Sequence, residues 1–112
     1  MVAIKNVRQF PRASINTSTF LLGAHGAVKV KAMNISPVGV FVSADRTLPV
    51  GERVYINVDL PQYHGSVLSQ AEVVWICVEK SHRRMGMGLK FLNLSNHDFF
   101  KVHNFVRYYE EP

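Results

Sequence analysis

Apolar and polar residues alternate along most of this chain, in short runs separated by turn-forming residues. The most regular run covers residues 53–60, where every second side chain is apolar: Val54, Ile56, Val58 and Leu60. A period of two places alternate side chains on opposite faces of a β-strand. We therefore predict a strand over residues 53–60 with one buried and one exposed face.

Five further strands are predicted from the same kind of pattern, at residues 13–22, 27–34, 39–43, 66–78 and 84–92. Glycine, proline, asparagine and serine separate these runs, as expected for turns. The chain has no internal repeat and no low-complexity tract. Short strands linked by turns over nearly the whole length indicate an all-β domain with a closed sheet.

The last predicted strand has an almost bare face, because Gly86, Gly88 and Lys90 alternate with its apolar residues. Another part of the protein must approach such a face closely. We expect the C-terminal helix to pack there, in preference to a ligand.

Residues 73–78 are apolar at every position. A strand that is apolar on both faces is typical of the protein interior. Cys77, the only cysteine, lies in this run, so we predict a buried and unreactive thiol.

One helix is predicted, over residues 96–109. Ser95 is its expected N-cap, and Asp98 follows three residues later as in a capping box. An apolar stripe along the helix indicates that it closes one end of the barrel. Additional aromatic residues on the helix suggest a partner or homodimer interface.

The 112 residues fit a single domain, and the net charge of +5 favours an anionic partner such as a nucleotide, nucleic acid, acidic protein or membrane surface. No window is long and apolar enough for a membrane span, and the first residues lack the apolar core of a signal peptide. We therefore expect a cytoplasmic protein.

No catalytic or metal-binding pattern is present. The five histidines do not form an H-E-x-x-H motif, and the eight acidic residues are scattered. The sequence has neither a G-x-S-x-G motif nor a Walker-type glycine loop. We expect no metal, no cofactor and no enzymatic activity.

Two short motifs suit the recognition of an anion and a base. Arg8 and Arg12 stand four residues apart, in a segment that Pro11 keeps out of regular helix. An arginine fork matches either the guanine edge or two phosphate oxygens. Farther along, Asn34 and Ser36 offer polar side chains at a turn.

Gly39 closes this second motif, and its missing side chain allows the backbone to come close to a ligand. Each motif also has a plain structural interpretation. Arg8 and Arg12 would then belong to a solvated basic arm, and residues 34–39 would be an ordinary turn between strands.

Together, Arg8-x-x-x-Arg12 and Asn34-x-Ser36-x-x-Gly39 resemble the signature of the PilZ family. The resemblance extends over residues 5–110 and includes the segments 48–54, 71–75 and 87–91. It implies a domain at residues 13–112 that consists of a six-stranded antiparallel β-barrel and a C-terminal helix. An N-terminal arm at residues 1–12 would precede this domain.

The resemblance also implies that the protein binds the bacterial second messenger cyclic di-GMP and passes the signal to a separate, unidentified partner protein. The ligand-binding residues would be Arg8 and Arg12 on the arm and Asn34, Ser36 and Gly39 on the barrel, with Gln9 and Val38 as neighbours. Many members carry a basic residue where this chain has Val7, which favours one ligand molecule per domain.

Two alternative functions follow from the same sequence. The basic charge, with aromatic residues such as Phe10, Tyr55 and Tyr63, would also suit a β-barrel that binds single-stranded nucleic acid. The other alternative is a PilZ-fold adaptor that acts through protein contacts without any nucleotide.

Overall fold

The computed structural model describes residues 11–24, 26–62, 64–79 and 84–109, without the side chains of Glu79 and Arg84. Only the last two residues of the predicted arm, Pro11 and Arg12, fall within this part of the chain.

Six antiparallel strands form a closed barrel, as predicted. They are β1 (Ala13–Gly23), β2 (Gly26–Ser36), β3 (Gly39–Ala44), β4 (Arg53–Leu60), β5 (Gly65–Glu79) and β6 (Arg84–Leu92), followed by helix α1 (Asn96–Tyr109). Around the barrel the order is β1-β2-β3-β6-β5-β4.

This strand order divides the barrel into two three-stranded meanders. Strands β1, β2 and β3 pair consecutively, and so do β4, β5 and β6. One joint between the meanders is β3–β6, paired from Gly39↔Lys90 to Ala44↔Met85. The other joint, the β1–β4 seam, has only Leu21↔Ile56 and Leu22↔Tyr55 in register.

The barrel interior is filled by the apolar residues that the alternation predicted. Along β4 the inward Val54, Ile56, Val58 and Leu60 are buried, whereas the residues between them are exposed. Strand pairing satisfies the backbone groups, so burial of these side chains provides the main stabilising free energy.

Helix α1 packs against β1, β2 and β5 and buries Val102, Phe105 and Val106. Its N-terminus is capped as expected, since the Asp98 amide donates a 3.0 Å hydrogen bond to Ser95 Oγ. Lys101 Nζ also donates a 2.8 Å hydrogen bond to the Ser66 carbonyl, which fixes the helix to β5.

The prediction of a buried Cys77 is wrong. Strand β5 shifts register between Val73 and Trp75, and its pairing with β4 ends at Glu72. The backbone of Val73 still bonds to Gly51 and Glu52, but beyond Val73 β5 pairs only with β6. This part of β5 extends past the closed barrel, and both of its faces meet solvent. Cys77 and the apolar side chains around it are therefore exposed.

Within the described ranges, no helix has both the length and the apolar character required to cross a membrane.

Candidate functional site

A cleft of about 440 Å³ lies on the outer surface of the barrel, over neighbouring strands β2, β3, β6 and β5. A row of paired residues runs across these strands, from Asn34 through Phe41 and Gly88 to Trp75. Residues paired in this way point to the same side of a sheet. The cleft therefore combines side chains from both meanders.

Five of the seven residues predicted from sequence line this cleft: Arg12, Asn34, Ser36, Val38 and Gly39. The other two, Arg8 and Gln9, lie outside the described residues. Val40, Phe41, Val74, Trp75, Gly88, Leu89 and Lys90 complete the lining.

Arg12 is the charged residue with the most restricted surroundings in the cleft. Its Nε is buried and has no hydrogen-bond partner within the described ranges. A buried donor without an acceptor is costly, by about 1–3 kcal/mol, and more for a charged group. Lys90 lines the same cleft, and none of the described residues that line it is acidic. The site is thus suited to an anionic ligand that supplies acceptors to Arg12.

The turn between β2 and β3 is stabilised by one hydrogen bond within the turn and by one from β6. The amide of Val38 donates to Ser36 Oγ over 3.3 Å, and the amide of Phe91 donates to the Val38 carbonyl over 2.9 Å. Ser36 is buried and lines the cleft, and its hydroxyl group stabilises the turn by accepting the bond from Val38. Its own proton is available to donate to a bound molecule.

The structure shows a packing requirement for glycine at position 39 that the sequence analysis did not identify. A Cβ added at this position would overlap the carbonyl oxygen of Leu89 on the adjacent strand. Glycine is therefore required for β3 and β6 to pair closely, in addition to any role beside a ligand.

The bare face of β6 is covered by aromatic rings, so the expectation that helix α1 packs there is wrong. A Cβ at Gly88 would overlap the Trp75 indole, and one at Gly86 would overlap the Phe41 ring. The two rings stack on each other, with centroids 5.3 Å apart and planes 15° from parallel.

Trp75 and Phe41 are the site residues that sequence analysis missed. Both line the cleft, and the Trp75 side chain is 47% exposed. A partly exposed aromatic ring beside cationic groups is suited to stacking with a planar base. The glycine alternation in β6 was the available signal, but only the pairing register identifies which rings cover it.

No cluster of histidine, cysteine, aspartate or glutamate within the described part of the chain is arranged to hold a metal ion. The polar groups of the cleft are instead hydrogen-bonding groups suited to an organic anion: a guanidinium, an ammonium, an amide and a hydroxyl.

Comparisons with known proteins concern the family and the fold of the chain. The PilZ domain family model matches residues 6–110. No curated protein matches the chain in sequence. Several solved structures share its fold, and three of them are 16–19% identical to it in sequence.

The first of these structures is the Bacillus subtilis inhibitor of motility, MotI/DgrA, with a TM-score of 0.76 and 19% identity over 90% of this chain and 50% of that one. The second is the PilZ domain of YcgR from Escherichia coli with c-di-GMP, with a TM-score of 0.71 and 16% identity over 91% and 90%.

The third is YcgR from Escherichia coli in complex with c-di-GMP, with a TM-score of 0.75 and 19% identity over 90% of this chain and 45% of that one. The present chain thus spans about half the length of MotI/DgrA and less than half of this YcgR chain. At these identities the likeness concerns the fold.

Proposed function

The chain belongs to the PilZ domain family, and from this premise we propose that it is a receptor that binds cyclic di-GMP and signals to a separate partner protein. PilZ domains are receptor or adaptor domains and are not generally enzymes. The observation that carries the proposal is the buried, unpartnered Nε of Arg12, which lies in one cleft with Asn34, Ser36 and a stacked aromatic pair.

The phosphates of the ligand explain the positive charge of the cleft. Arg12 and Lys90 supply the cations, and no acidic side chain among the lining residues opposes them. A guanidinium donates two parallel hydrogen bonds to a phosphate or to the O6 and N7 atoms of guanine. Either contact would satisfy the buried Arg12 Nε if its N–H is one of the two donors.

The guanine base explains the uncharged part of the cleft. The Asn34 amide has a carbonyl acceptor for the guanine N–H groups and an NH₂ donor for the base carbonyl. Trp75 lies in the same paired row and provides an aromatic surface for stacking. Adenine lacks the O6 acceptor, so arginine contacts of this kind favour guanine.

We propose that ligand binding changes the position of the N-terminal segment that carries the first motif. Arg8 and Gln9 of this motif precede the described residues. A ligand bound by both Arg8 and Arg12 would fix the segment between them against the barrel. Fixing a residue costs roughly 1–2 kcal/mol of backbone entropy, so ligand binding and the position of the segment are thermodynamically coupled. The surface presented to a partner would change as a result.

Isothermal titration tests this function directly. Purified protein is titrated with cyclic di-GMP and, in parallel, with cyclic di-AMP, and both titrations are repeated with Arg12→Ala. Saturable binding of the guanine ligand alone, lost in the variant, is the expected result, and the stoichiometry should be one ligand per domain.

Folded protein that gives no heat with either dinucleotide would contradict the receptor function and favour the nucleotide-independent adaptor. Equal binding of both dinucleotides would contradict the proposed recognition of guanine. Binding to single-stranded DNA that weakens steeply with salt, without cyclic di-GMP binding, would favour the nucleic-acid alternative.

A further inference from the structure

A second surface feature lies over the β1–β4 seam, away from the proposed nucleotide site. Four large apolar side chains are exposed there: Phe20 (52%), Leu22 (52%), Tyr55 (55%) and Leu68 (65%). Together with Thr19, Ala27 and Asn57 they line a hollow of about 450 Å³. We call these seven residues the seam patch.

The seam patch is continuous because its members are neighbours in the strand register. Leu22 pairs with Tyr55 across the seam and with Ala27 on its other side, while Asn57 pairs with Leu68. Outward positions on a barrel are ordinarily polar, and contiguous exposed apolar surface on a soluble domain commonly marks an interaction site. None of the described residues that line the hollow carries a charge.

The floor of the hollow is fixed by a specific hydrogen bond. Thr19 Oγ1 donates to the carbonyl of Asn57 over 2.6 Å, beside the two residue pairs of the seam. This bond links the two meanders where backbone pairing is sparse. The hollow is therefore preformed, which lowers the entropic cost of binding into it.

The charges that border the seam patch favour an acidic partner. Lys29 pairs with Phe20 in register, and Lys31 pairs with Ser18 two residues along the strand. Neither lysine forms an ion pair with another described residue, and both are exposed. On the β4–β5 side, Arg53 and Glu72 form an ion pair at 3.6 Å and largely neutralise each other. Asp59 is the one acidic residue on the outward face of β4.

We propose that the seam patch docks a partner protein through an amphipathic helix that presents apolar side chains beside aspartate or glutamate. Apolar side chains would fill the hollow, and the acidic groups would lie along Lys29 and Lys31. A second copy of this chain fits less well, because each copy carries a net charge of +5 and would place its own lysines near those of the other.

The seam patch and the nucleotide cleft share no lining residue. The helix that we propose for the seam patch would therefore contact none of the cleft residues. The proposal therefore goes beyond the nucleotide function, and it is tested without nucleotide.

The experiment uses two fluorescein-labelled peptides of about 18 residues, each with leucine along one helical face and with either glutamate or lysine on the other. Fluorescence anisotropy measures their binding to the wild-type protein. The apolar contribution is tested with the double variant Phe20→Ser, Leu68→Ser, which alters only exposed side chains.

The charge contribution is tested with Lys29→Glu. Arg107→Glu is the control, because Arg107 is exposed on the helix and its substitution gives the same change in net charge. Circular dichroism establishes that each variant remains folded. We expect the wild type to bind the glutamate peptide at least about tenfold more tightly than the lysine peptide. The double variant Phe20→Ser, Leu68→Ser should weaken binding at least about tenfold, and so should the single variant Lys29→Glu. Arg107→Glu should weaken it much less.

Four outcomes would overturn the proposal. The first is no saturable binding of the glutamate peptide up to about 1 mM, and the second is binding that the Phe20→Ser, Leu68→Ser variant retains. Equal losses in Lys29→Glu and Arg107→Glu would show attraction by overall charge rather than docking. Sedimentation that shows a wild-type dimer disrupted by Phe20→Ser, Leu68→Ser would likewise overturn it in favour of a second copy.

Discussion

Trp75 occupies the space that a side chain at position 88 would need, because a Cβ on Gly88 would overlap its indole nitrogen. Phe41 stands in the same relation to Gly86 and stacks on Trp75. The aromatic part of the cleft thus depends on two glycines in β6. Their substitution tests the cleft without removing any group proposed to bind the ligand.

Gly88→Ala should displace Trp75 outward and separate it from Phe41. We expect a loss of about 1–3 kcal/mol in the free energy of unfolding, as is usual for overpacking, together with weaker cyclic di-GMP binding. Urea unfolding followed by tryptophan fluorescence measures the first effect, and the emission of Trp75 should shift to longer wavelength. An unchanged spectrum and unfolding midpoint would contradict this packing.

Gly39→Ala should destabilise the protein more than Gly88→Ala does. The added methyl group at position 39 meets the backbone carbonyl of Leu89, whereas at position 88 it meets a partly exposed side chain that is able to rotate away. A backbone clash requires β3 and β6 to move apart. Urea unfolding of the two variants under the same conditions gives the comparison, and the reverse order of stability would refute it.

Arg12→Ala should weaken cyclic di-GMP binding by about 1–3 kcal/mol, or roughly ten- to a hundredfold, without loss of stability. The buried Nε has no partner among the described residues, so its removal leaves no other group unsatisfied. Arg8→Ala should reduce binding by a similar amount. Titration calorimetry and thermal unfolding, with Arg107→Ala as an exposed arginine control, separate binding from folding. Parallel losses of affinity and melting temperature in Arg12→Ala would indicate a structural role.

Asn34→Asp should tighten binding of cyclic di-GMP. A carboxylate accepts hydrogen bonds from guanine N–H groups more strongly than an amide does, by about 1 kcal/mol or more. Calorimetry at constant ionic strength measures the change, and Asn57→Asp, an exposed asparagine outside the cleft, controls for the added charge. Weaker binding in Asn34→Asp alone would place the residue beside a phosphate rather than a guanine.

Ser95→Ala should cost about 1 kcal/mol of stability and leave nucleotide affinity unchanged. It removes the acceptor of the Asp98 amide at the start of α1, which lies outside the cleft. Chemical unfolding and calorimetry test the two parts separately. Ser18→Ala, at an exposed strand position, is the matched control.

Most of the fold was predictable because its elements have strong local patterns. The bounds of β4, β6 and α1 agree with the sequence prediction, since alternation, turn residues and a capping box each act over a few residues. The exposure of Cys77 was not predictable in this way. The sequence of an apolar strand is similar whether the strand lies in the interior or extends beyond it. The exposure of Cys77 depends on where β4 stops pairing with β5.

The candidate site shows the same division. Arg12, Asn34, Ser36, Val38 and Gly39 were found from two sequence motifs, and the structure brings them to one cleft. Phe41 and Trp75 meet through the pairing of β3 with β6, two strands that are distant in sequence, and through the pairing of β6 with its neighbour β5. No local pattern encodes such a register.

The division of the barrel into two meanders has a consequence for the kinetics of folding. Each meander is assembled from neighbouring hairpins, whereas the β3–β6 joint must bring together segments distant along the chain, which slows folding. The cleft spans this joint, with Asn34 and Ser36 on one meander and Trp75 and Lys90 on the other. A ligand bound in the cleft would thus hold the two meanders together and act mainly by slowing unfolding. The lifetime of the native state would then measure how much of the protein has ligand bound.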